Sequence, residues 1–244
     1  MRNYKPSDSF DPVTAASYDV DVERGDEAST VRFLKTRAHD GPALEWAIGT
    51  GRIALPLAAE GVSVDGIDIS PHMVERLRSK PGGETIDVTI GSFVDTAMPR
   101  KYTLIYIVFN TLFNVLSQEE QIRCFENAAA HLTSDGVFVV EAFTPAFLYR
   151  LENYQYVQAE AIEVNEVRLD VLRHDAATQT LEENHVTLSE HGVKFNPVAQ
   201  RYAWPAELDL MARMAGLRLR ERWGSWNEEP YRSSSDNCIS VYGR

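Results

Sequence analysis

Over its first 145 residues the chain alternates short apolar runs with helical patterns, and a glycine loop joins the first run to the helix after it. Residues 43–47 form a short apolar strand that leads into Ile48-Gly49-Thr50-Gly51. Residues 52–60 read as a helix stopped by Gly61. Residues 62–67, 85–90, 102–109 and 137–143 read as four more strands. Ser70-Pro71 is an N-cap followed by proline at the first helical position, opening a helix to about residue 79. Residues 118–132 place apolar side chains at 122, 125, 129 and 132, a helical period, and helical patterns also cover 12–19 and 27–37. The apolar runs are far shorter than the roughly 20 residues of a membrane-spanning helix. They suit strands buried on both faces. Such alternation predicts an α/β fold: a doubly wound, mostly parallel sheet with helices on both faces and ligands bound outside the carboxyl ends of its strands.

The pattern changes after residue 145. Residues 158–190 carry eight of the 36 acids in the 244-residue chain and two of its 24 bases. Apolar residues alternate at Ile162 and Val164, then at Val167, Leu169 and Val171, and again at Val186 and Leu188. This predicts an antiparallel β insertion with one wet face, and the parity slip at Asn165-Glu166 suits a bulge. Trp204-Pro205 starts a helix to Met214, stopped by Gly216, and two closing strands follow at 217–223 and 238–242. The expected division is a core with an N-terminal helical lid (1–145), an antiparallel cap (146–203), and a last helix and hairpin that return to the core (204–244). The formal charge of −12 argues against nucleic acid and anionic membrane as partners. Two cysteines, Cys124 and Cys238, are too few for a disulfide framework and suit a reducing cytoplasm. The stretch Met1-Arg2-Asn3-Tyr4-Lys5-Pro6 lacks the apolar segment of a signal peptide.

The glycine loop alone fits two chemistries, since Gly49-Thr50-Gly51-Arg52-Ile53-Ala54 also matches a dinucleotide fingerprint. Three features separate them. Glu45 puts an acid inside the first strand, which suits a ligand with positive charge near the loop. Asp68 ends the second strand, where a carboxylate takes two ribose hydroxyls. Gly91-Ser92-Phe93 ends the third, where a residue would meet a base.

Together these residues resemble the class I S-adenosylmethionine-dependent methyltransferases of Rossmann-like fold, of the bacterial small-molecule type. The first motif stands as Glu45-Trp46-Ala47-Ile48-Gly49-Thr50-Gly51, and residues 64–73 are similar to the second. Residues 102–113 resemble the fourth strand and its loop, residues 132–141 the turn into the fifth strand. Ala16-Ser17-Tyr18-Asp19 resembles a segment that lids the cofactor. The resemblance implies a transferase that moves the methyl group of S-adenosylmethionine to a small organic acceptor and releases S-adenosylhomocysteine. It implies Glu45 at the cofactor's amino end, backbone at Ala47, Gly49 and Gly51 along the methionine moiety, and Asp68 on the ribose. It places Ile69 and Met73 beside the adenine, Phe93 on or beside it, Phe109 and Asn110 under the sulfonium, and Tyr18 as a lid. Two departures stand out: Ala47 replaces a glycine, and Ser92 stands where the family often has an acid.

In-line methyl transfer needs alignment more than acid–base chemistry. The catalytic candidates are Glu141 at the end of the fifth strand, Tyr18 on the lid, and His185 in the insertion. His131 ends a helix and suits the macrodipole. No histidine pair has zinc-site spacing, so no zinc site is expected and no metal ligand is assigned, while a carboxylate-bound magnesium stays open. The aromatics Phe143, Phe147, Tyr149, Tyr154, Tyr156, Trp223, Trp226 and Tyr231 suit a cap over a small organic substrate. A monomer or homodimer is expected. The alternatives are a non-catalytic or regulatory protein that keeps the fold, and a nicotinamide-dependent oxidoreductase.

Overall fold

The structure, a computed structural model, describes residues 1, 4–21 and 24–244. Arg2 and Asn3 of the amino-terminal stretch lie outside the described residues. The main sheet contains β1 (Ala43–Trp46), β2 (Val64–Asp68), β3 (Asp87–Ile90), β4 (Tyr102–Ile107), β5 (Leu132–Phe143), β10 (Arg218–Trp223) and β11 (Asn237–Gly243). Its order is β10-β11-β5-β4-β1-β2-β3. β1 to β5 pair in parallel, while β11 runs antiparallel between β5 and β10. The chain runs outward from β1 through β2 to β3, then returns to β4 on the other side of β1. That reversal opens a crevice at the carboxyl ends of β1 and β4, the place where doubly wound sheets bind ligands.

Helices α1 (Pro12–Asp21), α2 (Glu27–Ala38), α3 (Ala54–Ala59), α4 (Pro71–Arg78), α5 (Gln118–His131) and α6 (Pro205–Met214) surround the sheet. Side-chain alternation along β1 shows how the two faces are filled. Leu44 and Trp46 join one core with Phe125 of α5, Leu208 of α6 and Phe138 of β5. Ala43 joins the other with Leu34 of α2, Leu57 of α3 and Leu77 of α4. The start of α4 follows the sequence reading. Ser70 Oγ accepts from the Met73 N–H at 3.4 Å, and Pro71 takes the first helical position. The same hydroxyl donates to the Phe10 carbonyl at 2.8 Å and so fastens the amino-terminal segment to the sheet.

The second sheet is an antiparallel meander of β6 (Gln155–Ile162), β7 (Glu166–Asp175), β8 (Thr180–Ser189) and β9 (Gly192–Arg201). The parity slip at Asn165-Glu166 is not a bulge. It is the hairpin turn between β6 and β7, where the Glu163 N–H donates to the Glu166 carbonyl at 2.8 Å. The bulge lies earlier, between Ala159 and Ala161. β9 has no strand signal in the sequence because Pro197 interrupts it, and its place at the sheet edge tolerates a proline. The Asp135-Gly136 turn is absorbed into β5. Leu132 pairs with Tyr102 and Val137 with Leu104, so residues 133–136 bulge out of the ladder. Among the described residues no helix is long and apolar enough to cross a membrane.

Candidate active site

The crevice holds a cavity of ≈ 290 Å³. Its wall includes Ala47 and Gly49 after β1, Asp68 and Ile69 at the end of β2, and Met73 on α4. Ser92 and Phe93 after β3 and Tyr18 of α1 complete the part read from the sequence. Pro6, Phe10, Thr111, Asn114, Leu116 and Glu120 also line it, without a sequence signal that marks them individually as site residues. Residues 111–113 fell in a stretch recognised as the loop after the fourth strand. Phe10 carried no local signal, because its position depends on the distant bond to Ser70.

The loop after β1 has the backbone of its glycine pattern. Gly49 and Gly51 have φ of 57° and 79°, and Ala47 has φ of 53°. An alanine in this left-handed region costs roughly 1–2 kcal/mol relative to the right-handed region. The backbone at Ala47 therefore follows a glycine-like path, and its methyl is the change on the cavity wall. Asp68 is buried, and its carboxylate accepts from the Gly49 N–H at 2.7 Å and the Ser70 N–H at 2.8 Å. Burial raises its pKa, against the pull of those N–H groups. A carboxylate has about four lone-pair sites, so two remain for hydroxyl donors. Ile69 beside it is 47% exposed, an uncovered apolar side chain. A buried acceptor next to an apolar platform matches the ribose and base of an adenosine group.

α1 closes one side of this site. Asp19 accepts from Thr50 Oγ1 at 2.5 Å and from Lys80 Nζ at 2.7 Å, which pins the helix to the glycine loop. Burial pushes the Tyr18 phenol up to about 12. It stays protonated near neutral pH and cannot act there as a base. Glu45 lies behind the loop rather than on the cavity wall; it is 2% exposed, and the Tyr106 hydroxyl donates to its carboxylate at 2.9 Å. Burial pushes the Glu45 carboxyl up to about 8, opposed by Tyr106 and Arg52.

Phe109 and Asn110 follow β4 and do not line the cavity. Both are left-handed, with φ of 57° and 61°. The Arg24 guanidinium lies 4.7 Å from the Phe109 ring centroid and that of Arg52 lies 5.7 Å away. Glu141 has both carboxylate oxygens engaged. One accepts from the Phe109 N–H at 2.6 Å, the other from Arg24 at 3.0 Å and the Trp226 indole at 3.3 Å. His185 is not brought to the cavity. It sits on β8 and pairs with Glu160 at 2.8 Å, because the strand carrying it belongs to the second sheet. His131 bridges the Asn127 carbonyl and the Met98 N–H, a local packing role. Among the described residues no three His, Cys, Asp or Glu side chains gather to hold a metal ion.

Residues 43–136 match a family model described as a methyltransferase domain. A structure of the CcbJ methyltransferase from Streptomyces caelestis is similar at 36% identity, covering 98% of this chain and 99% of that chain with a TM-score of 0.92. The chain belongs to the class I S-adenosylmethionine-dependent methyltransferases. Its methyl donor is S-adenosylmethionine, and its reaction is methyl transfer from that cofactor. This methyltransferase is also 26% identical over 208 residues to a Streptomyces cypemycin N-terminal methyltransferase, covering 82% of each chain. The fold recurs in S-adenosylmethionine-bound CalS10, an amino pentose methyltransferase from Micromonospora echinaspora, at 16% identity and a TM-score of 0.71, covering 95% of this chain and 97% of that one.

Proposed function

We propose that this enzyme methylates an amine nitrogen of a small organic acceptor, with the cofactor seated in the crevice cavity. The observation that carries the seat is the pairing of buried Asp68 with exposed Ile69 on the wall that also holds Gly49 and Phe93. When bound, S-adenosylmethionine supplies a sulfonium-activated methyl group. Asp68 would accept from the ribose hydroxyls with its two remaining lone-pair sites. Ile69 and Met73 would flank the adenine, Phe93 would pack on it, and Ser92 would meet its polar edge. Ala47, Gly49 and Gly51 would pass backbone along the methionine moiety, and Glu45 would receive its amino cation, directly or through water. Phe109 and Asn110 would stand near the sulfonium, with Tyr18 closing the site from α1. Residues 1–145 would form the cofactor unit, 146–203 a cap on the substrate side, and 204–244 the edge that completes the sheet.

The acceptor class rests on two supports. The relatives include a peptide N-terminal methyltransferase and a Streptomyces fradiae sugar N,N-dimethyltransferase. The titratable side chains described on the cavity wall are Tyr18, Asp68 and Glu120. Tyr18 is too weak an acid to be deprotonated, Asp68 is bonded to backbone, and Glu120 faces its own helix cap at Ser117. An amine suits such a site, since its neutral form attacks with its own lone pair and needs alignment rather than a strong base.

Calorimetry with S-adenosylhomocysteine tests the seat. Asp68→Ala should weaken binding at least about 100-fold, roughly the 2.7 kcal/mol expected for losing charge-assisted hydroxyl bonds. Equal affinity in the variant would remove Asp68 from the site. A panel of amines, phenols and carbon acids assayed for S-adenosylhomocysteine release tests the acceptor; turnover confined to phenols or carbon acids would overturn the amine reading.

A further inference from the structure

Three segments distant in sequence meet at one buried carboxylate. Glu141 lies near the carboxyl end of β5, and β5 runs parallel to β4 with Val140 opposite Ile107. Its side chain therefore stands beside the first residues after β4. There Phe109 and Asn110 hold two successive left-handed conformations with no glycine. Such backbone is costly and persists only where its surroundings over-determine it. The Phe109 N–H is fixed by a 2.6 Å bond to one oxygen of Glu141. The other oxygen takes Arg24 and the Trp226 indole. Arg24 also pairs with Asp26 at 3.0 Å and covers the Phe109 ring. Glu141 is 2% exposed and does not line the cavity, so it is not placed to take a proton from a substrate there.

The position of this hub gives it a role. The loops after β1 and β4 face each other across the crevice, because β1 and β4 are neighbours in the sheet. Attack in line with the sulfonium has to be set between those two loops. α1 brings Tyr18 onto the cavity wall, and Asp19 tethers it to the glycine loop through Thr50. Arg24 on Glu141 is a second tether of the same amino-terminal segment, on the opposite loop.

We propose that Glu141 is a positioning residue that couples closure of the amino-terminal segment, through Arg24, to the setting of Phe109–Asn110 beside the methyl donor. The proposal rests on the cofactor reading of the cavity. Its chemistry is a division of labour between the two oxygens: a neutral acceptor is enough for the Phe109 N–H, whereas holding Arg24 needs the charge.

The experiment uses the full chain with S-adenosylhomocysteine as the probe, in calorimetry and amide hydrogen exchange. Arg24→Ala and Glu141→Gln should each weaken binding about tenfold, and the double variant should be no weaker than either single one, since both remove one coupling. Exchange in α1 should rise in both. Exchange in residues 107–112 should stay slow in Glu141→Gln, whose amide oxygen still accepts from Phe109, and rise in Glu141→Ala. A purely structural Glu141 would lower the melting temperature without this split. Unchanged affinity in Arg24→Ala and Glu141→Gln, or losses that multiply in the double variant, would overturn the coupling. If the parent itself does not bind the probe, the cofactor reading fails and this proposal with it; with parent binding intact, the variants bear on Glu141 alone.

Discussion

Glu45 shows how one side chain can tie stability to ligand chemistry. It is a carboxyl inside a buried parallel strand, with Tyr106 of β4 directly opposite and donating to it. Burial raises its pKa from an ordinary 4.5 to about 8. The folded state thus keeps a proton that the unfolded chain has lost above pH 4.5. Stability from this group is full below that point, declines as pH rises toward 8, and levels off above it. Thermal unfolding of the ligand-free protein at pH 5.5, 7 and 8.5 should show that decline, and Glu45→Gln, which keeps an acceptor for Tyr106, should flatten it. An unchanged slope in Glu45→Gln would assign the decline to another group. A cation placed beside Glu45 would favour its charged form, which links this cost to the amino end of the cofactor. Asp68, Gly49 and Tyr18 were legible as residues because a strand end, a turn and a short lid motif fix them locally. The partners of Glu141 were not, since Phe109, Trp226 and Arg24 lie 32, 85 and 117 residues away.

At the scale of elements, the glycine loop depends on a residue outside it. Gly66 sits in β2 opposite Glu45, and a Cβ there would lie 2.5 Å from Ile48 Cδ1 and 2.8 Å from its Cγ2. Ile48 is buried between the strand and the turn, so it has little room to give. Gly66→Ala should destabilise the fold by roughly 1–3 kcal/mol, as overpacking does. It should also weaken S-adenosylhomocysteine binding through the displaced loop. Denaturant unfolding with calorimetry checks both, and a variant as stable and as tight-binding as the parent would mean that Ile48 moves freely. The parallel strands are legible to within a few residues because each is a compact apolar run. The second sheet is less legible. Its strands are half wet, its hairpin turn mimics a slip in parity, and β9 contains a proline that only an edge position accommodates.

At the scale of the whole molecule, the order β10-β11-β5-β4-β1-β2-β3 places the crevice where the chain reverses direction across the sheet. The aromatic residues expected to cap a substrate mostly pack elsewhere. Phe143 sits against Phe113, Phe147 and Tyr202, while Tyr149 sits against His174 and Trp204, and none of these eight cap candidates lines the cavity. Phe143 and Tyr149 join the second sheet to the main core instead, while Trp226 packs on Phe33 of α2. Ligand seated in the crevice would bridge α1, the loops after β1 and β3, and α4, so its binding should stabilise the fold globally. S-adenosylhomocysteine at 100 times its dissociation constant should add about 2.7 kcal/mol and raise the melting temperature by about 5–10 °C. Asp68→Ala at the same concentration should show little of that rise; a full rise would place the ligand away from Asp68.

The sequence by itself determined the doubly wound sheet, the loop after its first strand and the acids at positions 45 and 68. These are local matters: apolar period, turn residues and spacing along one stretch of chain decide them. Tertiary structure decided which of those residues share a wall. Glu45 went behind the loop, Asp68 onto the cavity, and His185 to a different sheet. It also decided that Glu141 carries no free oxygen, because burying a carboxylate requires donors. The fold draws those donors from an amino-terminal linker, the end of a neighbouring strand and a carboxyl-terminal loop.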